Sequence, residues 1–301
     1  MPDSFPTTLL PAPAWRARLE AHARRAEALT RPALDRRAKG RPQPVEDFLF
    51  TYYSFSFGKL RQWHPGLGSG LETDGAPLPA WFGKRPYRHE AGRLFADPRA
   101  LREGEAERLR WIRDLLVATR DRAPNFACFG MHEWAMVYRG TEVRHQGSAP
   151  LRLPQEEIDQ LVESRPICCS HFDAFRFFTP EARPLNKLQP DLLTREAHEQ
   201  PGCVHANMDL YKWAGKALPW AGSGLWLDCL DLATELRDLD MRASPYDLRA
   251  FGLEPIPIET YEGRRTYEAE QHRLAARAVP LRARLIGVLD GLLAGATVTA
   301  G

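Results

Sequence analysis

Apolar residues recur along much of this chain at the three- and four-residue steps of an α-helix. The densest run, Leu225, Cys229, Leu232, Leu236 and Leu239 with Trp226, Leu230 and Ala233 beside them, predicts a central helix buried on nearly every face. Trp15, Leu19, Ala23, Ala26 and Leu29 predict another, with Arg16, Arg18, Arg24 and Arg25 between them and a breaker at Lys39-Gly40-Arg41-Pro42. Gly104–Arg122 carries Leu109, Ile112, Leu115, Leu116 and Thr119 on one face. Pro154–Arg165 has acidic residues in its first turn, which suits the positive end of a helix dipole. Val204–Leu218 is also helical in this reading, and places His205 and Asp209 four apart on one face. A helix capped by Ser244 is expected from Pro245 to Gly252. Tyr261–Leu293 closes the chain as a long helix, with a bend at Pro280.

Three stretches resist this pattern. Glu46–Trp63 is apolar all round, so periodicity does not separate helix from strand, although its first half leans to helix; Phe126–Arg139 is equally ambiguous. Ile167–Phe178 allows two readings: as a strand it puts His171 and Asp173 on one face, and as a helix it separates them. Residues 1–11 are expected to fray, and Pro65–Gly83 to form a long irregular connection. With no internal repeat, the sum is a mainly α fold with at most a minor β element. Residues 1–44 are an Arg-rich helix and linker, and residues 45–301 one helical domain.

Charge changes this picture little. The 301 residues carry a formal net charge of +2, with 44% hydrophobic and 27% charged residues, as in ordinary globular proteins. Basic residues outnumber acidic ones nine to four over residues 1–41, and acidic outnumber basic twelve to six over 191–260. Arginine dominates the basic residues, which is compatible with binding DNA through phosphates and equally with a solvated helix face. Five cysteines without a CxxC spacing match neither a disulfide framework nor a zinc ribbon, so a reducing cytoplasm is expected. No apolar run approaches about 18 residues, which leaves the membrane out as a partner.

The candidate chemistry gathers between Pro166 and Trp213. His132-Glu133, His171-x-Asp173 and His205-x3-Asp209 offer imidazoles and carboxylates that would suit Fe, Mn or Zn, although no spacing matches a standard ligand motif. Cys169 and Cys203 each stand two residues before a histidine, where buried packing is the commoner role. Excision of an alkylated base needs a carboxylate beside the sugar and aromatic faces for the flipped base. Asp209 with Tyr211 and Trp213, or Asp173 among Phe172, Phe175 and Phe177, would provide both. In the turn Leu239–Asp247, Arg242 and Tyr246 suggest either an anion clamp or a capped helix junction.

Five strings resemble a bacterial family that carries the name 3-methyladenine DNA glycosylase: HPGLG, HEWAMVYR, SHFDAFRFFTPEARPLN, EQPGCVHANMDLYKWA and LDMRASPYDL, spanning roughly Val45 to Leu285. The resemblance implies removal of alkylated purines from DNA without a cofactor. It makes Asp209 or Asp173 the catalytic carboxylate with His205 and His171 nearby, Tyr211 and Trp213 the base platform, and Arg176, Arg242 and Tyr246 binding residues. His64-Pro65-Gly66-Leu67-Gly68 copies the core of a helix-hairpin-helix motif, but neither the following helix nor the aspartate of that superfamily is present, so no catalytic residue is carried over from it. The helical repeats of the HEAT-like glycosylases are absent too. The rival expectation is a metal-dependent enzyme acting on a small molecule through His132, Glu133, His171 and His205. A non-enzymatic binding protein is the third.

Overall fold

The computed structural model describes residues 6–41, 43, 45, 47–140 and 149–296. Pro42 of the expected breaker, Glu46 of the aromatic stretch and residues 1–5 lie outside them. In chain order the elements are β1 (Thr8–Leu10), α1 (Ala12–Ala38), α2 (Phe48–Tyr52), α3 (Phe57–Leu60), β2 (Ser69–Glu72), β3 (Tyr87–Glu90), β4 (Arg93–Ala96), α4 (Glu103–Asp121), α5 (Met131–Ala135), α6 (Gln155–Glu163), α7 (Phe172–Phe175), α8 (Arg195–His198), α9 (Val204–Lys216), α10 (Ser223–Arg242) and α11 (Tyr261–Ala296).

The fold is mainly α. Helix α10 is the central element, as its all-round apolar pattern requires: α9, α11 and α1 pack on it, and Leu225, Trp226, Leu227, Cys229 and Leu230 are all buried. Helix α11 runs through Pro280 without interruption and carries α4 on its flank.

The minor sheet corrects two expectations. Strand β1, placed in the segment expected to fray, pairs in parallel with β2, which lies in the stretch expected to be irregular; the order is β1-β2-β4-β3, with the other pairings antiparallel. What holds the sheet is a second, smaller core in which Leu10, Trp15, Trp63, Leu71, Phe82 and Leu94 meet. Trp15 brings α1 into that core, so the N-terminal helix is joined to the sheet. Its arginines tie it to the chain at three further places: Arg16 binds Asp74 at 2.7 Å, Arg36 binds Asp47 at 2.6 Å, and Arg25 binds Asp228 and Asp231 on α10.

The expected helix after Ser244 does not form either. Asp247 N donates to Pro150 O and Arg152 N to Pro245 O, so the segment spends its backbone groups on a distant neighbour, and only a 3₁₀ turn at Arg249–Phe251 remains before Gly252. Such non-local pairing overrides a well-formed local cap.

The HPGLG loop docks on the start of α10. Leu67 N donates to Trp220 O at 2.8 Å and Ser223 N to His64 O at 3.0 Å. Gly66 has φ +91°, and a Cβ there would stand 3.3 Å from Gly222 Cα. Only glycine suits a position that is both left-handed and pressed on backbone. Gly66→Ala is therefore expected to destabilise the chain by about 1–3 kcal/mol, read as a lower urea midpoint with unchanged slope; an unaltered midpoint would show that the loop does not depend on this contact.

Candidate active site

Helix α9 divides the site from the core. Its His205 and Asp209 lie one turn apart, as their spacing implies, and both line a cavity of about 380 Å³. The opposite wall is aromatic: Phe48, Tyr52 and Tyr53 come from α2 and its end, Phe177 from the turn after α7, and Tyr246 from the segment after α10. Glu133 from α5, His171, Asp173 and Arg237 complete its polar lining.

The stretch around His171 is neither a full strand nor a full helix. Ile167 pairs with Asn186, His171 is extended at φ −104° and ψ 120°, and α7 begins at the next residue. This break sets His171 between the two clusters. Its ring stacks on His205 with centroids 5.5 Å apart, while its Nε2 lies 3.5 Å from Asp209 Oδ2 and 3.6 Å from Glu199 Oε1. Both His/Asp clusters therefore belong to one network.

On one side of that network Asp209 is enclosed by donors. Arg195 reaches it at 3.0 Å, Tyr53 donates to it at 2.9 Å, and Lys212 lies 3.3 Å from both Asp209 and Asp173. Burial opposes its charge, but Lys212, His171 and Arg195 hold the carboxyl well below the usual range. Asp173, half-buried, also meets Arg195 at 3.6 Å and Arg176 at 3.3 Å.

On the other side His132 Nε2 and Asp240 Oδ1 share a hydrogen bond of 2.8 Å, and His132 Nδ1 meets Cys128 Sγ at 3.3 Å. Arg237 Nη1 lies 3.4 Å from Asp240 and 3.7 Å from Glu133, and its guanidinium stacks 4.0 Å over Phe48. Two buried carboxylates thus share one guanidinium. Burial and the adjacent Asp240 push Glu133 up to about 7. Burial works against a charged His132, but Asp240 and Cys128 hold it well above the usual imidazole range. Burial pushes His205 down to about 3 against the pull of Asp240, with His132 and His171 adding to the effect.

Donor atoms of His132, Glu133, His205 and Asp240 all lie within 4.8 Å of one another. Ligands about 2.0–2.2 Å from one ion stand roughly 3–3.5 Å apart. The spacings here, 2.8 Å from His132 to Asp240, 3.8 Å from His205 to Asp240 and 4.0 Å from His132 to Glu133, bracket that value. The donor set therefore fits a cation such as Fe, Mn or Zn. Asp240 takes the place in it that the sequence assigned to His171.

The other expected residues divide. Tyr246 lines the cavity. Tyr211 and Trp213 do not: Tyr211 stacks on Trp226 and meets Tyr53 and Phe55 edge-on, fully buried, whereas Trp213 lies under the charged groups of Arg195 and Lys212. Tyr211 supports the site from the core side of α9, whereas Trp213 supports it through the two cations it carries. Arg176 sits on the rim over Phe177. Arg242 binds Glu254 O and Asp238 instead of facing the cavity.

Sequence reasoning passed over Arg237, Arg195, Glu199, Lys212 and Tyr53, and placed Asp240 only in the polar turn with Arg242, Tyr246 and Asp247. For Arg237 and Asp240 a signal existed: an oppositely charged pair at i, i+3 that falls among the apolar positions Leu236, Leu239 and Met241 of α10.

The pH response of the metal-free chain carries a sign. Unfolded, His205 takes a proton near 6.5; folded, only near 3, so the unfolded state binds more protons in between. Stability from this group is present above pH 6.5 and lost as pH falls towards 3. His205→Gln is expected to flatten the acid limb of urea midpoint against pH; parallel limbs for variant and parent would refute the assignment. Among the described residues no helix is long and apolar enough to cross a membrane. Compared with family models, curated proteins and solved structures, the chain matches none.

Proposed function

We propose that this chain is a metal-dependent enzyme acting on a small molecule in the cavity beside α9. The observation that carries the reading is the convergence of His132, Glu133, His205 and Asp240, of which Glu133 and His205 line a chamber of about 380 Å³, a size in the range of small-molecule sites. These four residues would hold the ion. A cation there supplies a Lewis acid for a substrate oxygen and an acidified water. The chain's own groups do the rest. Arg237 Nε, buried and without a hydrogen-bond partner, is left to donate to a substrate oxygen. His171, whose buried ring nitrogens have no hydrogen-bond partner and whose Nε2 lies 3.5 Å from Asp209, lines the cavity as a proton carrier. Tyr52, Phe177 and Tyr246 enclose the apolar part of the substrate and exclude water. The free cysteines suit the expected reducing cytoplasm.

Protein purified without chelator is expected to carry about one equivalent of transition metal by elemental analysis, and Asp240→Asn and His205→Ala to lower metal affinity by at least ~10-fold. No stoichiometric metal, together with no Zn²⁺, Mn²⁺ or Fe²⁺ binding by calorimetry, would end this reading.

A second reading, excision of alkylated purines from DNA, is favoured by the aromatic wall facing Asp173 and Asp209. On this reading Tyr52, Phe177 and Tyr246 hold the base, and Asp209 or Asp173 stabilises positive charge on the sugar. It predicts release of free base from alkylated DNA that disappears in Asp209→Asn or Asp173→Asn. No release at high enzyme concentration, or DNA binding indifferent to salt, would exclude it.

A further inference from the structure

Apart from the main cavity, a narrow crevice of about 10 Å³ runs between α11, the start of α9 and the stretch before α7, and reaches His132 and His205. Three polar groups that line it are buried and have no hydrogen-bond partner in the protein: Ser170 Oγ, Tyr267 OH and Gln271 Oε1. Buried groups are seldom left so, because each has given up its hydration without return. Here three of them share one small space.

Their surroundings keep them there. Tyr267 and Gln271 stand one turn apart on α11, so both fall on one face of it. Gln271 Nε2 donates to Gly202 O at 2.8 Å, which fixes the amide and leaves its oxygen as an acceptor. Ser170 follows Cys169, whose N–H and carbonyl are both clasped by Asn186, at 2.8 and 2.9 Å. Gln200, the other amide on the wall, is already spent: its oxygen accepts from Asn125 N and Gly202 N, and its nitrogen donates to Asn125 O. The crevice thus offers two hydroxyls and one carbonyl oxygen.

Size and charge select the ligand. About 10 Å³ is room for one water molecule, and a buried water needs two to four polar partners. No Asp, Glu, Lys or Arg lines the crevice, so an ion there would lose its hydration without a close counter-charge. The acceptor Gln271 Oε1 also turns away an anion, and the neighbouring His132, which Asp240 and Cys128 keep protonated, turns away a cation.

We propose that this crevice is a binding site for a single water molecule. The water accepts from the Ser170 and Tyr267 hydroxyls and donates to Gln271 Oε1; its second hydrogen is left to the sulfurs of the wall, which are weak acceptors. It ties α11 to the stretch before α7. Because Ser170 directly precedes His171, the bound water is part of what holds that histidine's backbone in place.

The test is a high-resolution crystal structure of the parent chain. The expected result is one peak, as strong as a fully occupied water oxygen, at hydrogen-bond distance, about 2.5–3.2 Å, from Ser170 Oγ, Tyr267 OH and Gln271 Oε1. A peak too strong for oxygen would show an ion instead, and direct bonds among the three side chains would show that they need no ligand; either result overturns the proposal. In solution, oxygen-17 relaxation dispersion is expected to count one long-lived internal water fewer in the double variant Tyr267→Phe, Gln271→Leu than in the parent, and an equal count would contradict the assignment. The parent crystal decides even if the variant fails to fold. Both readouts concern hydration alone, whether or not the histidines bind a metal.

Discussion

Asp240 is a fully buried carboxylate on the central helix α10. An unpaired charge there would cost several kcal/mol, so its surroundings are arranged to pair it. His132, His205 and Arg237 converge on it from α5, α9 and α10 itself. The arrangement is one-sided in its energetics: such a group contributes little to stability beyond what an apolar residue would, while removing one partner leaves the others exposed to the same penalty. A buried polar network on these terms is more readily understood as chemistry than as scaffolding.

The second half of the network obeys the same logic at a wetter edge. Lys212 and Arg195 are held over the Trp213 ring, and that support fixes the two cations against Asp173 and Asp209. His171 then bridges the halves because α7 starts one residue after it. The aromatic side chains thus divide by position on α9 and around it, some buttressing the charges from the core and others closing the cavity in front.

How much of this was legible depends on the range of the interaction. The helices α9, α10 and α11 are written in local periodicity, and the shared face of His205 and Asp209 comes from a four-residue step. Strands of three and four residues are too short for alternation to show, so the sheet was invisible. The segment after Ser244 carries a proper helix start, yet Pro150 and Arg152, almost a hundred positions earlier, capture its backbone. The His132–Asp240 contact spans 108 residues and has no local trace. Tyr211 and Trp213 misled because aromatics next to a carboxylate look alike whether they face a ligand or a core; only the direction in which α9 presents them distinguishes the two.

The meeting of Gly66 and Gly222 has a mechanical side. It clamps the first turn of α10 to the sheet, and Asp240 lies eighteen residues further along the same helix, about 27 Å away at 1.5 Å per residue. Because α9, α11 and α1 pack on α10, a shift of its first turn is passed along the helix as a unit, and about 1 Å is as much as separates a productive arrangement of reacting groups from an idle one. Two glycines remote from every titratable group in the cavity are therefore part of what aims it.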